Sequence, residues 1–222
     1  MGSEMCIRDR CYQTIEFGKV DIHLCTLRNR QEFYDPDGEA ERLGINSSTW
    51  PIFGILWPSG IVLANYICQF DTHSKRILEI GCGTALTSLL LNKRHDDITV
   101  TDHHPEVGKF LDRNTDLNHD DNISFVRADW SGEDTELGLF DLIIGSDLLY
   151  EDEHVELVGN FINKHAEQKC EVVIVDPGRG RKNKLTKKME SFGYTSSHFK
   201  PTDTAYLDGT FKGHILNFER SA

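Results

Sequence analysis

Positive charge is scarce in this chain: 24 Lys and Arg stand against 36 Asp and Glu, for a net charge of -12 with histidine neutral. Duplex nucleic acid and anionic membrane are thereby disfavoured as main partners, because both are bound through clustered Lys and Arg. The one basic cluster, Arg179, Arg181, Lys182, Lys184, Lys187 and Lys188, reads as the solvated face of a helix. None of the six cysteines (Cys6, Cys11, Cys25, Cys68, Cys82, Cys170) stands in C-x-x-C spacing. Reduced thiols are expected, with Cys68 in a buried helix and Cys170 beside a buried strand. No uninterrupted apolar run approaches the ~20 residues of a membrane helix and no signal peptide is visible, so a soluble cytoplasmic protein is expected. Also missing are a G-x-S-x-G elbow, a P-loop, any internal repeat and any Pro/Gly/Ser-rich linker. The 222 residues therefore read as one α/β domain, expected to act as a monomer.

What the chain does have is Arg76-Ile77-Leu78-Glu79-Ile80-Gly81-Cys82-Gly83-Thr84, an apolar run into a glycine turn, then a helical segment, then Ile98-Thr99-Val100-Thr101-Asp102. A buried parallel strand that ends where only glycine lets backbone approach a ligand, with an acid at the next strand tip for two ribose hydroxyls, describes a nucleotide-cofactor site. Glu79 discriminates among cofactors. A dinucleotide would set a doubly charged pyrophosphate near this carboxylate, and Leu86 stands where the dinucleotide fingerprint wants Gly or Ala. S-adenosylmethionine has no phosphate, and its ammonium and sulfonium cations suit an acidic E-x-G-x-G turn.

The remaining elements follow from periodicity and punctuation. Residues 1–10 (MGSEMCIRDR) show neither period nor apolar face and read as a non-native leader. Residues 11–56 form an N-terminal extension, with a hairpin or bent strand over 14–26 turning at Gly18. The main domain, 57–222, opens with a helix starting at Pro58 and presenting Ile61, Ala64 and Cys68. Strands are expected at 76–81, 98–102, 123–127, 140–146 and 171–176, alternating with helices at 85–94, 105–117, 152–166 and 181–192. A closing pair follows near 194–200 and 211–219, joined by a polar turn, Pro201 to Gly209. This order predicts a mostly parallel, Rossmann-like sheet with helices on both faces and an antiparallel strand at or near one edge.

In such a sheet the ligand lies outside the carboxyl ends of the strands. Four tips carry suggestive residues: Gly81 to Thr84, Asp102-His103, Asp129-Trp130, and Ser146-Asp147 leading to Tyr150. Asp129 is suited to accept from an adenine amine and Trp130 to stack on the base, against the alternative of a turn Asp and a core Trp. Asp102, His103 and His104 do not read as a metal site, because neighbours on an extended strand point to opposite sides. Asp141 and Asp147 fall at opposite ends of one strand and cannot pair.

Three stretches carry a family resemblance: Leu56-Trp57-Pro58 followed by Leu63-Ala64, then Glu79 to Thr84, then Gly145-Ser146-Asp147-Leu148-Leu149-Tyr150. From Trp57 to about Phe218 the chain resembles the class I, seven-strand S-adenosylmethionine-dependent methyltransferases. It is most similar to the D-x-x-Y protein-lysine methyltransferases, the methyltransferase-like 21 group. Ala85 and Ser146 depart from that pattern, where Gly and a small apolar residue are usual. Asp176-Pro177-Gly178-Arg179 also resembles bacterial relatives, over too short a stretch to transfer a substrate.

The resemblance implies that Trp57, Gly81, Asp102 and Trp130 line the cofactor pocket; the strand tips add Glu79, Cys82, Gly83, Thr84, His103, Asp129 and Ser146, and no metal is expected. It implies that Asp147 and Tyr150 face the methyl-transfer channel and that the acceptor is a lysine of a protein substrate. Asp147 would orient the incoming amine or the cofactor's ammonium, and Tyr150 would hydrogen-bond the nucleophile. The plain alternative makes Asp147 a cap for a helix beginning near Glu151 and Tyr150 a packing residue. A small-molecule N-methyltransferase and a non-enzymatic cofactor-binding module remain open. A nucleic-acid amino-methyltransferase would want [ND]-P-P-[YFW] where this chain has Ser-Asp-Leu-Leu-Tyr.

Overall fold

The computed structural model describes residues 10–31, 33–132 and 137–221; residues 1–9 of the expected leader, and Cys6 with them, lie outside these. Two strands, β1 (Arg10–Phe17) and β2 (Val20–Leu27), form an antiparallel hairpin registered from Arg10 against Leu27 to Phe17 against Val20. The chain turns at Gly18, whose φ of 66° favours glycine. A short helix α1 (Glu39–Arg42), a 3-10 helix (Trp50–Gly54) and helix α2 (Pro58–Cys68) lead into the sheet.

There the elements alternate: β3 (Arg76–Ile80), α3 (Leu86–Lys93), β4 (Asp97–Asp102), α4 (Val107–Asn118), β5 (Ser124–Arg127), β6 (Phe140–Ser146), α5 (His154–His165), β7 (Ala166–Asp176), α6 (Lys182–Ser191), β8 (Thr195–Phe199) and β9 (His214–Arg220). The seven strands lie in the order β5-β4-β3-β6-β7-β9-β8. Only β9 runs against its neighbours β7 and β8, next to the edge rather than on it. This is the Rossmann-like, mostly parallel sheet expected from the element order.

Side chains alternate across the sheet as a period of two requires. Ile77, Val100, Ile144, Val173 and Val175 pack with α2, α3, α4 and the hairpin; Leu78, Ile80, Ile143, Val172 and Ile174 pack with α5 and α6. Each fully buried Leu, Ile or Val contributes roughly 1.5 to 3 kcal/mol of transfer free energy, so two such layers sustain the fold.

Three details differ from the sequence reading, and a fourth bears on the expected lack of a membrane helix. Arg10, the last residue of the expected leader, opens β1, is buried, and lies over the Phe110 ring at 4.4 Å. The buried residues of α2 are Ser59, Val62, Leu63, Ala64 and Ile67; Ile61 and Cys68 are only half-buried, because α2 rests on the sheet and on α3 along a stripe one residue round. β7 begins at Ala166, directly after α5, rather than at 171; its polar Glu167-Gln168-Lys169 segment hides the start of the strand. Residues 50–68 are apolar over 19 positions. The chain is extended at Ile55 and Trp57, so α2 has 11 residues, roughly 16 Å, about half the depth of a bilayer core.

Candidate active site

The crossovers after β3 and after β6 leave on opposite faces, so the tips of these adjacent strands flank a crevice. At the β3 tip Gly81 (φ 60°), Gly83 (φ 52°) and Ala85 (φ 56°) all take left-handed backbone. A Cβ on Gly83 would stand 2.9 Å from the Phe53 carbonyl oxygen; one on Gly81 would meet Leu148 Cδ2 at 2.7 Å and the Trp130 ring at 3.4 Å. Ala85 occupies the position where the resemblance wants glycine, and its backbone explains why. Cys82 N–H donates to the Thr101 carbonyl at 3.0 Å, tying the turn to β4, and burial pushes its thiol well above the ordinary range.

Asp102, at the β4 tip, holds this turn open. Its Oδ2 accepts from Gly83 N–H and its Oδ1 from His104 N–H, both at 2.9 Å. Burial raises its pKa and these two backbone bonds counter it. Two lone-pair sites of the carboxylate remain for other donors. Glu79 is placed differently from its expected position facing the cofactor's cations. It is buried, and its Oε2 accepts from both the backbone N–H and the hydroxyl of Ser88 in α3. Burial drives its pKa up to about 7.

At the β5 tip Asp129 Oδ1 accepts from Ser131 N–H and Oγ–H, each at 2.8 Å, while Oδ2 lies 3.7 Å from His103 Nδ1. Trp130 is half-buried over Gly81 and meets His154 edge-on at 5.4 Å; His154 in turn meets Tyr150 at 4.2 Å. An aromatic chain thus runs from the β5 tip to the turn after β6. His104 is buried and stacked on Phe53 at 4.0 Å, and burial drives its pKa down to about 3. Trp57 donates its indole N–H to the Ile52 carbonyl at 3.0 Å and carries Arg30 over its ring. Thr84 is buried, and Ser146 stands beside Gly60 in the first turn of α2.

Asp147 has a φ of 55°, and its N–H donates to the Val175 carbonyl at 2.9 Å. Its carboxylate is held by Arg179 through both oxygens, Nε to Oδ1 at 2.6 Å and Nη2 to Oδ2 at 3.0 Å. It caps nothing: α5 starts at His154, with Glu153 at the cap position and no side-chain bond. Tyr150 is 47 % exposed, so it is not core packing either. Burial raises its pKa, as do Asp102, Glu151 and Asp147. The sequence reading missed Arg179 because it counted the residue with the basic helix face. Arg181, Lys184 and Lys188 do lie on that face, paired with Asp152 and Glu156 of the α5 side. The signal that separates Arg179 from them is its place in Asp176-Pro177-Gly178-Arg179, at the end of β7 and before α6 begins.

These residues fit S-adenosylmethionine. Gly81 and Gly83 have no room for a Cβ, which keeps the backbone of the turn bare, Asp102 retains acceptor capacity for vicinal hydroxyls, and Asp102 and Asp129 at the β4 and β5 tips are acids, unsuited to a phosphate.

Comparison with known proteins agrees. The chain is 29% identical over 119 residues to the protein N-lysine methyltransferase METTL21A of Danio rerio, covering 48% of this chain and 54% of that one. It is 31% identical over 124 residues to a histidine protein methyltransferase 1 homolog of Dictyostelium discoideum, covering 52% and 40%. The chain thus spans about half the length of these relatives. The fold is shared with a methyltransferase of Pyrococcus furiosus, with a TM-score of 0.59 at 21% identity over 86% of this chain and 88% of that one. Residues 40–192, from α1 to the end of α6 and including every strand tip described above, match the profile of the lysine methyltransferases, and the chain belongs to that family.

Proposed function

We propose that this protein transfers a methyl group from S-adenosylmethionine to a lysine side-chain amine of a protein substrate. The observation that carries the reading is the placement of Asp147 and the half-exposed Tyr150 on the turn after β6, beside the glycine turn of β3 and within the segment that matches the family. Residues 81–84 would hold the cofactor by backbone, Asp102 by its carboxylate, and Asp129 and Trp130 at the base; Trp57, His103 and Ser146 would complete the pocket. Glu79, turned under α3, would shape the turn from below.

When bound, S-adenosylmethionine supplies a methyl activated by a sulfonium. The protein's own contribution is to position and to manage a proton. A free lysine titrates near 10.4, so the site must receive it uncharged. Tyr150 presents a phenol at the open side of the crevice, and Asp147 offers the lone pairs that Arg179 leaves free. Alignment of this kind accounts for much of the rate in a direct displacement, through entropy lost before rather than during reaction. The Dictyostelium relative supports a second acceptor, the imidazole of a protein histidine, which needs no deprotonation at neutral pH.

Two measurements test the reading. S-adenosylmethionine and S-adenosylhomocysteine should raise the melting temperature, whereas NAD and ATP should not. With tritiated S-adenosylmethionine and cell extract, label should appear in protein; label confined to small molecules or RNA would overturn the assignment.

A further inference from the structure

The turn after β6 is gripped from the far side by the loop after β7. Arg181 reaches back to Asp152 Oδ1 at 2.8 Å and to the Leu149 carbonyl at 3.4 Å, while Arg179 takes both oxygens of Asp147. The loop is shaped for this. Gly178 (φ 103°) and Gly180 (φ 82°) flank Arg179, and Gly178 N–H donates to Asp176 Oδ2 at 3.0 Å. The carboxylate of Asp147 is largely withdrawn from solvent, at 13% exposure, while Arg179 remains 39% exposed.

A partly buried carboxylate beside an acceptor lysine poses a chemical problem. Left alone, it would stabilise the ammonium form, which has no lone pair to attack with. A guanidinium titrates above any working pH and matches a carboxylate bidentately, so the charge it supplies is constant. Paired with it, Asp147 is neutralised yet keeps lone pairs that can accept an N–H from a neutral amine. We propose that Arg179 is a positioning residue of the acceptor site, a fixed countercharge that holds Asp147 in line and lets the acceptor amine sit beside it uncharged; this rests on the methyltransferase reading above.

The amine gives its proton to solvent first. Its nitrogen lone pair then forms the new N–C bond, the C–S bond breaks, and that electron pair leaves with sulfur. The charged and titratable groups around the pair are Tyr150 and Glu151 on the same turn, His154 at the start of α5, Asp102 at the β4 tip and Asp176 at the end of β7. His214 faces Asp176 from β9, with Lys182 of α6 acting on it. Asp176 adds a second buried carboxylate beside Arg179, whose own pKa is raised first by its bond to Asp147 and further by Asp176 and Tyr150.

The test compares the full chain with Arg179→Gln, Arg179→Lys and, as a control on the exposed helix face, Lys184→Gln. Each is assayed for label transfer from tritiated S-adenosylmethionine into a labelled protein band between pH 6.5 and 10. In Arg179→Gln the midpoint of the pH–rate profile should move up by about 1 to 3 pH units, with kcat reduced at pH 7.5, KM for the acceptor no higher, and activity regained at high pH. Arg179→Lys should restore most of the midpoint, and Lys184→Gln should keep the parent profile. A readout independent of turnover accompanies these: the ultraviolet titration of Tyr150, obtained by difference from Tyr150→Phe, should move to still higher pH in Arg179→Gln, because the guanidinium opposes the acids that raise it. A rate lost by the same factor at every pH, or an unmoved Tyr150, overturns the proposal while leaving the methyltransferase reading intact. A parent protein that binds S-adenosylmethionine and labels no protein at any pH removes both.

Discussion

The side-chain amide of Asn114 makes both of its hydrogen bonds with one residue of the hairpin: Oδ1 accepts from Cys25 N–H at 2.7 Å and Nδ2 donates to the Cys25 carbonyl at 3.3 Å. One turn further along α4, Asn118 pairs likewise with His23, at 2.8 and 2.7 Å, and its Nδ2 also donates to the Asn114 carbonyl at 2.7 Å. The two amides stand where a third strand would, pairing the outer edge of β2 and closing it to other chains. Asn114→Ala should therefore destabilise the fold by roughly 1 to 3 kcal/mol for the buried groups left unpaired, read as a lower urea midpoint. A midpoint within error of the parent would show that the hairpin is not docked this way.

Gly83 is the point of the glycine turn that another backbone approaches most closely. An added methyl meets the Phe53 carbonyl oxygen at 2.9 Å on backbone already at φ 52°. Left-handed backbone alone costs a non-glycine residue about 1 to 2 kcal/mol. Gly83→Ala should exceed that and also weaken stabilisation by S-adenosylmethionine, since the 3-10 helix must shift off the turn. Thermal melts with and without the ligand check both effects.

Asp147→Asn and Tyr150→Phe should keep the fold. Asparagine tolerates left-handed backbone, and Tyr150 is half exposed. Turnover should fall by ~10²- to 10⁴-fold, the usual contribution of a proton-handling or positioning group, with a melting temperature near the parent's. Unchanged turnover in either variant would remove that residue from the acceptor site.

Glu79 makes a prediction about pH. Its carboxyl titrates near 4.5 when unfolded and at about 7 in the folded protein, chiefly through burial. Between these values the folded state holds a proton that the unfolded chain has released. Its contribution is thus fully present below pH 4.5 and is lost as pH rises through 7, a change on the order of 3 kcal/mol. Glu79→Gln, which cannot titrate, should gain on the parent by about this amount across that window in urea denaturation. His104 acts in the opposite sense, destabilising the fold as pH falls below its ordinary 6.5, but it does so in both proteins and cancels in the difference. A flat difference would show that Glu79 is ionised when buried.

Much of the architecture is written locally. The apolar run of β3, the Pro58 start of α2, the helix periods of α3 to α6 and the glycine pair each state their own conformation through sterics and burial pattern. They can be read without neighbours. The start of β7 could not, because Glu167, Gln168 and Lys169 are poor strand formers that fall in the irregular stretch between the Phe140–Ala166 and Leu142–Glu171 pairs of β6 and β7.

The same division runs through the site. That Gly81, Gly83, Asp102, Asp147 and Tyr150 fall at strand tips follows from the order of elements, since parallel strands joined by helices bring their carboxyl ends to one edge. Which way a carboxylate points does not follow. Glu79 turned to Ser88 and Asp147 to Arg179 because the donors that could satisfy them, nine and 32 residues away, are delivered only when α3 and the loop after β7 have packed. Local pattern carries the fold class, the glycine turn and the family of chemistry; packing sets where each acid turns, because a buried carboxyl takes whatever donor comes within about 3 Å.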